Sequence, residues 1–168
     1  MDCGGYVGDT AAEFLRRTKG QYKKLIIFEP EICKGTIIQT NLKGYEYDLY
    51  QYGVWSQSTV LKFDARGDST SFITENGQIK IPVKALDDVI LKERPTFIKM
   101  DIEGSETEAL KGCRRIIEEY KPKLAICIYH RPEDLFEIPL WIHSVNKDYR
   151  LLIRQYSSTR FETVCYAI

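Results

Sequence analysis

The chain has 168 residues, which suits one domain and is too short for two ordinary ones. Its 24 basic side chains balance its 24 acidic ones, which argues against a general nucleic-acid binder because such proteins usually carry a basic excess. No apolar run approaches the roughly 20 residues that a membrane-spanning helix needs. The five cysteines are scattered without a C-x-x-C pair, which favours a reducing setting. We therefore expect a single cytoplasmic domain over residues 1–168 that binds neither nucleic acid nor membranes.

Short apolar runs rich in Ile, Val and Phe alternate with amphipathic stretches along the chain. This alternation predicts an α/β fold with a mostly parallel sheet and helices on both faces. The predicted strands are Leu25–Glu29, Tyr47–Val54, Thr59–Asp64, Thr96–Ile102, Leu124–Tyr129, Tyr149–Gln155 and Thr163–Ile168. The predicted helices are Asp9–Lys19, Glu31–Lys43, Ser105–Tyr120 and Pro132–Asn146.

One segment, Asp64–Lys80, departs from this alternation because it is rich in Gly, Asp, Asn and Ser. Such a composition predicts turns, here with a short strand at Thr70–Thr74. A surface hairpin is the favoured interpretation, and a loop that faces a substrate is the alternative.

A glycine-rich loop, D-C-G-G-Y-V-G, directly precedes the first predicted helix. Glycine permits sharp turns and close approach of a ligand, and the helix N-terminus favours an anionic group. A tight turn that binds nothing is the alternative. The dinucleotide pattern G-x-G-x-x-G fails here, because its first position falls on Cys3 when it is aligned on Gly5 and Gly8. The loop suits a cofactor with an amino-acid tail, whose ammonium Asp2 can attract.

The strand that normally precedes such a loop is nearly absent, since the loop begins at residue 2. We expect that residues upstream of the loop are missing from this chain. The alternative is a fold without its central strand, which would leave backbone groups of two neighbouring strands buried and unpaired.

A second motif is the apolar strand that ends in Glu29-Pro30. An acid at the end of the second strand of a doubly wound sheet accepts hydrogen bonds from a ribose diol, and a carboxylate can take both hydroxyls because it only accepts. Pro30 fixes the exit of the chain. We interpret Glu29 as a ribose ligand, and an exposed acid at a strand end is the alternative.

Two further strands carry candidate catalytic groups at their carboxyl ends. Asp101 and Glu103 are two residues apart, so both carboxylates are expected to line one cleft, although solvated loop acids remain the alternative. His130 follows the next strand, where it could take a proton from a substrate hydroxyl, or instead cap a helix or orient a neighbour. Neither His130 nor His143 lies in a recognisable ligand cluster, so we predict no metal; the alternative is that Asp101 and Glu103 bind one.

These motifs together resemble the FkbM family of S-adenosylmethionine-dependent methyltransferases. The family's most specific signature, K-x-D-x-E-G-x-E followed by L-x-G, is similar to Lys99–Glu106 and Leu110–Gly112. Further elements of the family resemble Asp2–Gly8, Phe28–Pro30, Leu86–Asp88, Tyr129–Leu135 and Tyr149–Tyr166. Gly5 and Tyr6 depart from the pattern, because the family often has Ala and Asn there.

The resemblance implies a Rossmann-like class I methyltransferase fold with S-adenosylmethionine as the cofactor. It implies that Val54 and Trp55 lie near the adenine and that Asp101 lies beside the transferred methyl group. The cofactor-binding residues implied in full are Asp2, Gly4, Gly5, Gly8, Glu29, Pro30, Val54, Trp55 and Asp101.

The implied reaction is attack of a substrate oxygen on the sulfonium methyl, with His130 or Asp101 as the base. The acceptor class that the resemblance suggests is a glycan or secondary metabolite, and a homo-oligomer is compatible with the sequence. Two alternatives stay open. One is a nicotinamide-dependent oxidoreductase, which the failed dinucleotide pattern disfavours, and the other is a truncated or inactive cofactor-binding domain.

Overall fold

The computed structural model describes residues 1–64, 72–74, 76–159 and 161–168. Its strands are β1 (Asp2–Cys3), β2 (Ile26–Phe28), β3 (Asp48–Tyr50), β4 (Gly53–Val54), β5 (Thr59–Asp64), β6 (Phe72–Ile73), β7 (Ile79–Lys84), β8 (Phe97–Met100), β9 (Lys123–Cys127), β10 (Leu151–Gln155) and β11 (Thr163–Ala167). Its helices are α1 (Asp9–Arg17), α2 (Ile32–Asn41), α3 (Leu86–Val89), α4 (Glu106–Lys111), α5 (Arg114–Tyr120) and α6 (Asp134–Val145). Among these described helices, none is long and apolar enough to cross a membrane.

The main sheet has seven strands in the spatial order β3-β2-β1-β8-β9-β11-β10. Strands β3, β2, β1, β8 and β9 run parallel to one another. Strand β11 is antiparallel to β9, and β10 is antiparallel to β11. The chain leaves β1 for β2 on one side and reaches β8 on the other side. The crevice at the carboxyl end of β1 is therefore the topological switch point, where ligands bind in open α/β sheets.

The central strand β1 contains only Asp2 and Cys3, yet it pairs with β2 on one side and with β8 on the other. Met1 extends the pairing, because its carbonyl accepts the Lys99 N–H at 3.0 Å. The sequence predicts that the first strand is nearly absent, and the structure gives the central position to these two residues.

Helices cover both faces of the main sheet, as predicted, because the strands are apolar on both sides. Along β2, Ile26 and Phe28 face a core cluster that also contains buried residues of α4, α5 and α6. Ile27 points to the opposite face, where it packs in a second cluster with buried residues of α1 and α2. This alternation follows from the two-residue period of a strand.

The prediction of one strand over Tyr47–Val54 is wrong, since the chain changes sheets within that range. Its first part is β3 of the main sheet, and its last part is β4, which pairs with β7. The second sheet has the order β4-β7-β5-β6. Periodicity describes strand character but not the partner, so the sequence could not show this division.

The turn-rich segment contains more strand than the sequence predicted. Strand β7 begins at Ile79, inside the predicted turns, and pairs antiparallel with β5. Of the predicted strand Thr70–Thr74, the structure shows β6 at Phe72–Ile73, while Thr70 and Ser71 lie outside the described residues.

The predicted helix Ser105–Tyr120 is two helices, α4 and α5. Asp87, a residue of another helix, stabilises the break. Its two carboxylate oxygens accept backbone N–H groups of α5, from Arg115 at 2.8 Å and from Ile116 at 3.0 Å. The Asp87 N–H in turn donates to the Gly112 carbonyl at 2.9 Å. Asp87 belongs to α3, which the sequence did not predict. The Ser105 side chain makes no capping hydrogen bond.

The other predicted helices and strands are confirmed. Their observed ends lie inside the predicted ranges, except that β9 begins one residue early at Lys123. Helix ends fray and strand ends vary, so differences of this size are expected.

Candidate active site

A cavity of about 630 Å³ opens at the carboxyl ends of β1, β2 and β8, at the switch point of the main sheet. Gly4, Glu29 and Asp101 line it directly after these three strands. Apolar side chains of the second sheet, Phe63 and Ile81, line it as well. The fold therefore brings the glycine loop and both strand-end acids to one place, as the sequence predicted.

The glycine loop packs tightly between the ends of β2 and β8. The N–H groups of Gly4 and Gly5 both donate to the Phe28 carbonyl, at 3.0 and 3.1 Å. Gly4 has φ +82°, and a Cβ there would lie 1.9 Å from the Asp101 carbonyl oxygen. The absence of a side chain at Gly4 is thus required by the chain itself, before any ligand is considered.

The other two loop glycines have structural roles of the same kind. A Cβ on Gly5 would lie 2.4 Å from the Ile27 side chain. Gly8 has φ +83° and immediately precedes α1, whose Ala12 N–H donates to the Gly8 carbonyl at 2.8 Å. Only Gly4 of the three lines the cavity, so cofactor contacts of Gly5 and Gly8 remain predictions.

Glu29 lies in the cavity wall with only 4% of its surface exposed. Its Oε2 accepts the Tyr6 N–H at 2.8 Å, and its Oε1 accepts the Glu31 N–H at 3.0 Å. Burial raises the pKa of this carboxyl, and the two backbone donors oppose that rise. Each oxygen keeps acceptor capacity, because a carboxylate offers about four lone-pair sites. Pro30 lines the cavity next to it.

Asp2 is buried and does not line the cavity. Its Oδ1 lies 3.1 Å from Nζ of Lys99, which also donates to the Gly4 carbonyl at 2.8 Å. Burial opposes the charge on Lys99, but the carboxylates of Asp2 and Asp101 outweigh it and raise its pKa. Asp2 thus already has a cation of the chain as its partner, and its predicted attraction to a cofactor ammonium stays a prediction.

Four polar side chains, those of three acids and His130, meet just after the carboxyl ends of β8 and β9. His130 Nδ1 lies 2.9 Å from Glu106 Oε1, and His130 Nε2 lies 3.5 Å from Asp101 Oδ1 and 3.4 Å from Glu103 Oε2. Tyr129 adds a hydrogen bond from its hydroxyl to Asp101 Oδ1 at 3.0 Å. The predicted pair Asp101 and Glu103 therefore shares one site with His130.

The electrostatics of this group follow from burial and charge. Burial raises the pKa of Glu103 to about 7. For His130, burial favours the neutral ring, but the hydrogen bond and charge of Glu106, followed by Glu103 and Asp101, outweigh burial and raise the pKa. The carboxylates thus favour the protonated form of the imidazole.

Glu106 is the member of this group that the sequence did not predict. It is completely buried at the start of α4, and its Oε1 also accepts the Ile102 N–H at 2.8 Å. The available signal was its place as the last acid of the K-x-D-x-E-G-x-E signature at Lys99–Glu106. The expectation that His130 lies outside any ligand cluster is wrong, because ligand atoms of Asp101, Glu106 and His130 lie within 4.8 Å of one another.

The side chains of the two residues expected near the adenine, Val54 and Trp55, lie in different places. Val54 is buried and lines the cavity beside Phe28. Trp55 is absent from the cavity lining and packs on the core of the second sheet, against the cluster that contains Phe63 and Ile81. The adenine contacts of Val54 and Trp55 both remain predictions.

The comparison with known families settles what kind of domain surrounds this cavity. The family model described as the methyltransferase FkbM domain matches residues 2–151. The chain belongs to this methyltransferase family.

One solved structure agrees with the assignment. The methyltransferase FkbM from Methylobacillus flagellatus KT is 34% identical, with a TM-score of 0.84 over 99% of this chain. A pericyclic reaction enzyme and LepI in complex with SAM each match at 10% identity and a TM-score of 0.47, over 99% of this chain and 41% of theirs. The chain spans 42% of the length of the Methylobacillus protein. No curated protein matches the chain significantly.

This membership confirms the Rossmann-like class I fold and supports S-adenosylmethionine as the cofactor. The cavity fits such a group, since it combines a buried carboxylate, Glu29, with apolar walls at Phe28 and Val54. Pockets of this size and mixed character suit cofactors. A methyltransferase family also disfavours the nicotinamide-dependent oxidoreductase.

Proposed function

We propose that this chain forms the catalytic domain of an S-adenosylmethionine-dependent O-methyltransferase, which acts on a hydroxyl group of a glycan or secondary metabolite. The observation that carries the proposal is the convergence of Glu29 and Asp101 on one cavity at the switch point of an FkbM-family fold. The cofactor, when bound, supplies an electrophilic methyl group.

In this proposal Glu29 binds the ribose hydroxyls of the cofactor. Its carboxylate is held by two backbone N–H groups, so little conformational freedom is lost on binding. Val54 and Pro30 line the same cavity. Glu29 and Pro30 therefore fix the ribose end of the cofactor in this proposal.

Asp101 and His130 perform the proton transfer in this proposal. Asp101 is the more accessible, with 34% of its side chain exposed against 8% for His130. A hydroxyl of the acceptor can therefore reach the Asp101 carboxylate, which Tyr129 holds in place by its hydrogen bond. Alignment of acceptor and methyl group supplies most of the rate acceleration, on the order of 7 kcal/mol or more at best.

Calorimetry with the purified full chain tests the cofactor part. We expect S-adenosylmethionine to bind and NAD not to bind. Glu29→Gln should weaken binding about 10- to 100-fold, since a hydrogen bond to a charged group contributes about 1.5–3 kcal/mol. Glu118→Gln is the matched control, because Glu118 is exposed on α5 and, among the described residues, forms its ion pair with Arg114. Binding of NAD alone, or of neither compound, contradicts the proposal.

Turnover with a panel of hydroxylated acceptors tests the catalytic part. We expect Asp101→Asn to abolish formation of S-adenosylhomocysteine while cofactor binding persists. His130→Ala should alter the pH–rate profile, because it removes a titrating group from the site. Full activity of Asp101→Asn would refute the role of that residue. Cofactor binding without methyl transfer to any acceptor would favour an inactive binding domain.

A further inference from the structure

The imidazole of His130 lies in an unusual setting, since three carboxylates approach a side chain that is only 8% exposed. Asp101 and Glu103 come from the loop after β8, and Glu106 comes from the first turn of α4. The group therefore has three carboxylates for one imidazole, and Lys99 is a further cation near Asp101. The remaining negative charge would favour a bound cation, because opposite charges attract at short range.

The two ring nitrogens of His130 have different surroundings. Nδ1 lies 2.9 Å from Oε1 of the fully buried Glu106, which is an ordinary hydrogen-bond distance. Nε2 lies 3.4 Å from Glu103 and 3.5 Å from Asp101, which exceeds the usual range of about 2.7–3.2 Å for N–H···O. Within the part of the chain that the structure describes, neither ring nitrogen makes a hydrogen bond of good geometry, so the contact of Nδ1 with Glu106 is an ion pair by distance.

Each long distance fits a pair of ligands of one ion, whereas the ligand atoms that all lie within 4.8 Å of one another are those of Asp101, Glu106 and His130. Two ligand atoms that each lie about 2.1 Å from a metal are about 3.4 Å apart when the angle is tetrahedral. The oxygens of Asp101 and Glu103 are separated from His130 Nε2 by 3.5 and 3.4 Å. A carboxylate that accepts the other ring N–H is the usual companion of a metal-bound histidine, and Glu106 occupies that place.

We propose that His130 Nε2, Asp101 and Glu103 bind one divalent transition-metal ion, with Glu106 orienting the imidazole through Nδ1. Glu106 is assigned the orienting role because its Oε1 already accepts the Ile102 N–H. One imidazole with two carboxylates suits Mn²⁺ or Zn²⁺ better than Ca²⁺, which takes oxygen ligands only.

The ion would lie at the cavity wall, because all three ligands line the cavity. Three protein ligands leave a coordination position for a further oxygen. An acceptor hydroxyl bound there would have a lowered pKa and could pass its proton to the uncoordinated oxygen of Asp101. His130 would then be a ligand and not the base, and this role in methylation rests on the proposed function. The binding of the ion itself does not depend on the cofactor, so the two ideas can fail separately.

Binding of Mn²⁺ to the full, chelator-treated chain tests the site, with free Mn²⁺ measured by electron paramagnetic resonance. Mn²⁺ is the better probe because the exposed Cys33 thiol would attract Zn²⁺ independently. We expect one bound ion per chain. Glu103→Gln and His130→Gln should each weaken binding at least 10-fold, and Glu106→Gln should weaken it about 10- to 100-fold.

Matched controls make the result decisive. Glu118→Gln should bind Mn²⁺ like the original chain, and Ca²⁺ in equal amount should not displace Mn²⁺. Circular dichroism establishes that each variant is folded. If His130→Gln does not fold, Glu103→Gln still tests the site, because it preserves the side-chain volume. No binding of Mn²⁺ at about 1 mM, or unchanged binding in the folded Glu103→Gln variant, would overturn the site. Mn²⁺ binding without any S-adenosylmethionine binding would instead contradict the proposed function alone.

Discussion

Gly4→Ala should destabilise the fold strongly, because two separate costs fall on one residue. Gly4 has φ +82°, and a Cβ built on it would lie 1.9 Å from the Asp101 carbonyl oxygen. The left-handed conformation costs a residue with a side chain about 1–2 kcal/mol. The collision with backbone adds about 1–3 kcal/mol for forced movement of a packed region. The expected loss in free energy of unfolding is therefore about 2–5 kcal/mol.

The natural control is Gly20→Ala. Gly20 has φ +72°, but a Cβ there meets nothing within 4 Å. Only the conformational cost remains, and the smaller entropy of the unfolded alanine chain offsets part of it, about 0.4–1 kcal/mol. We expect a net loss of about 0–1.6 kcal/mol. The same offset applies to Gly4→Ala, so the two variants should differ by the steric cost of about 1–3 kcal/mol.

Urea denaturation followed by circular dichroism measures both variants. Each kcal/mol corresponds to about 2–4 °C in Tm for a domain of this size, so Gly4→Ala should also melt well below Gly20→Ala. If the two variants lose equal stability, the steric argument at Gly4 is wrong. If Gly4→Ala is as stable as the original chain, the positive φ is wrong as well.

Three further predictions concern stability and thiol reactivity. Ile98→Ala should cost about 2–5 kcal/mol of unfolding free energy because Ile98 is completely buried, whereas Ile153→Ala, 55% exposed on β10, should change it by less than about 0.5 kcal/mol. Asp87→Ala should lower the free energy of unfolding by about 1–2 kcal/mol, since it removes the acceptors of two α5 N–H groups. The control Asp88→Ala changes an exposed neighbouring residue and should leave the free energy of unfolding nearly unchanged. The native chain should show one fast-reacting thiol, Cys33, because the four other cysteines are buried and burial raises their pKa.

Urea melts measure the first two predictions, and a chromogenic disulfide reagent measures the third. Similar losses in Ile98→Ala and Ile153→Ala would contradict the assignment of the core. An Asp87→Ala variant as stable as Asp88→Ala would show that the break between α4 and α5 does not depend on this carboxylate. A fast thiol that persists in Cys33→Ser would place another cysteine at the surface.

Local patterns in the sequence determined most helices, most strands and the residues at strand ends. Hydrophobic periodicity is a property of neighbouring residues, so α1, α2 and α6 were predictable from it. The carboxyl ends of parallel strands meet at one edge of a sheet, so the order of elements alone predicted that Glu29 and Asp101 share a cavity.

Tertiary structure decided the features that depend on residues far apart in the chain. The break between α4 and α5 is stabilised by Asp87, and the division between β3 and β4 reflects the pairing of β4 with β7. Asp2 has Lys99 as its cation because β1 and β8 are adjacent strands. No local pattern contains these partners, since each is chosen by packing.

The surroundings of His130 show most clearly the difference between what the local sequence determines and what tertiary packing decides. Its place after a buried strand was visible in the sequence, and so was a proton-transfer role as one interpretation. The presence of Glu106 at 2.9 Å was not, because it requires the first turn of α4 to pack beside the end of β9. Periodicity specifies which face of an element is buried, whereas only the packed structure specifies which polar groups meet there.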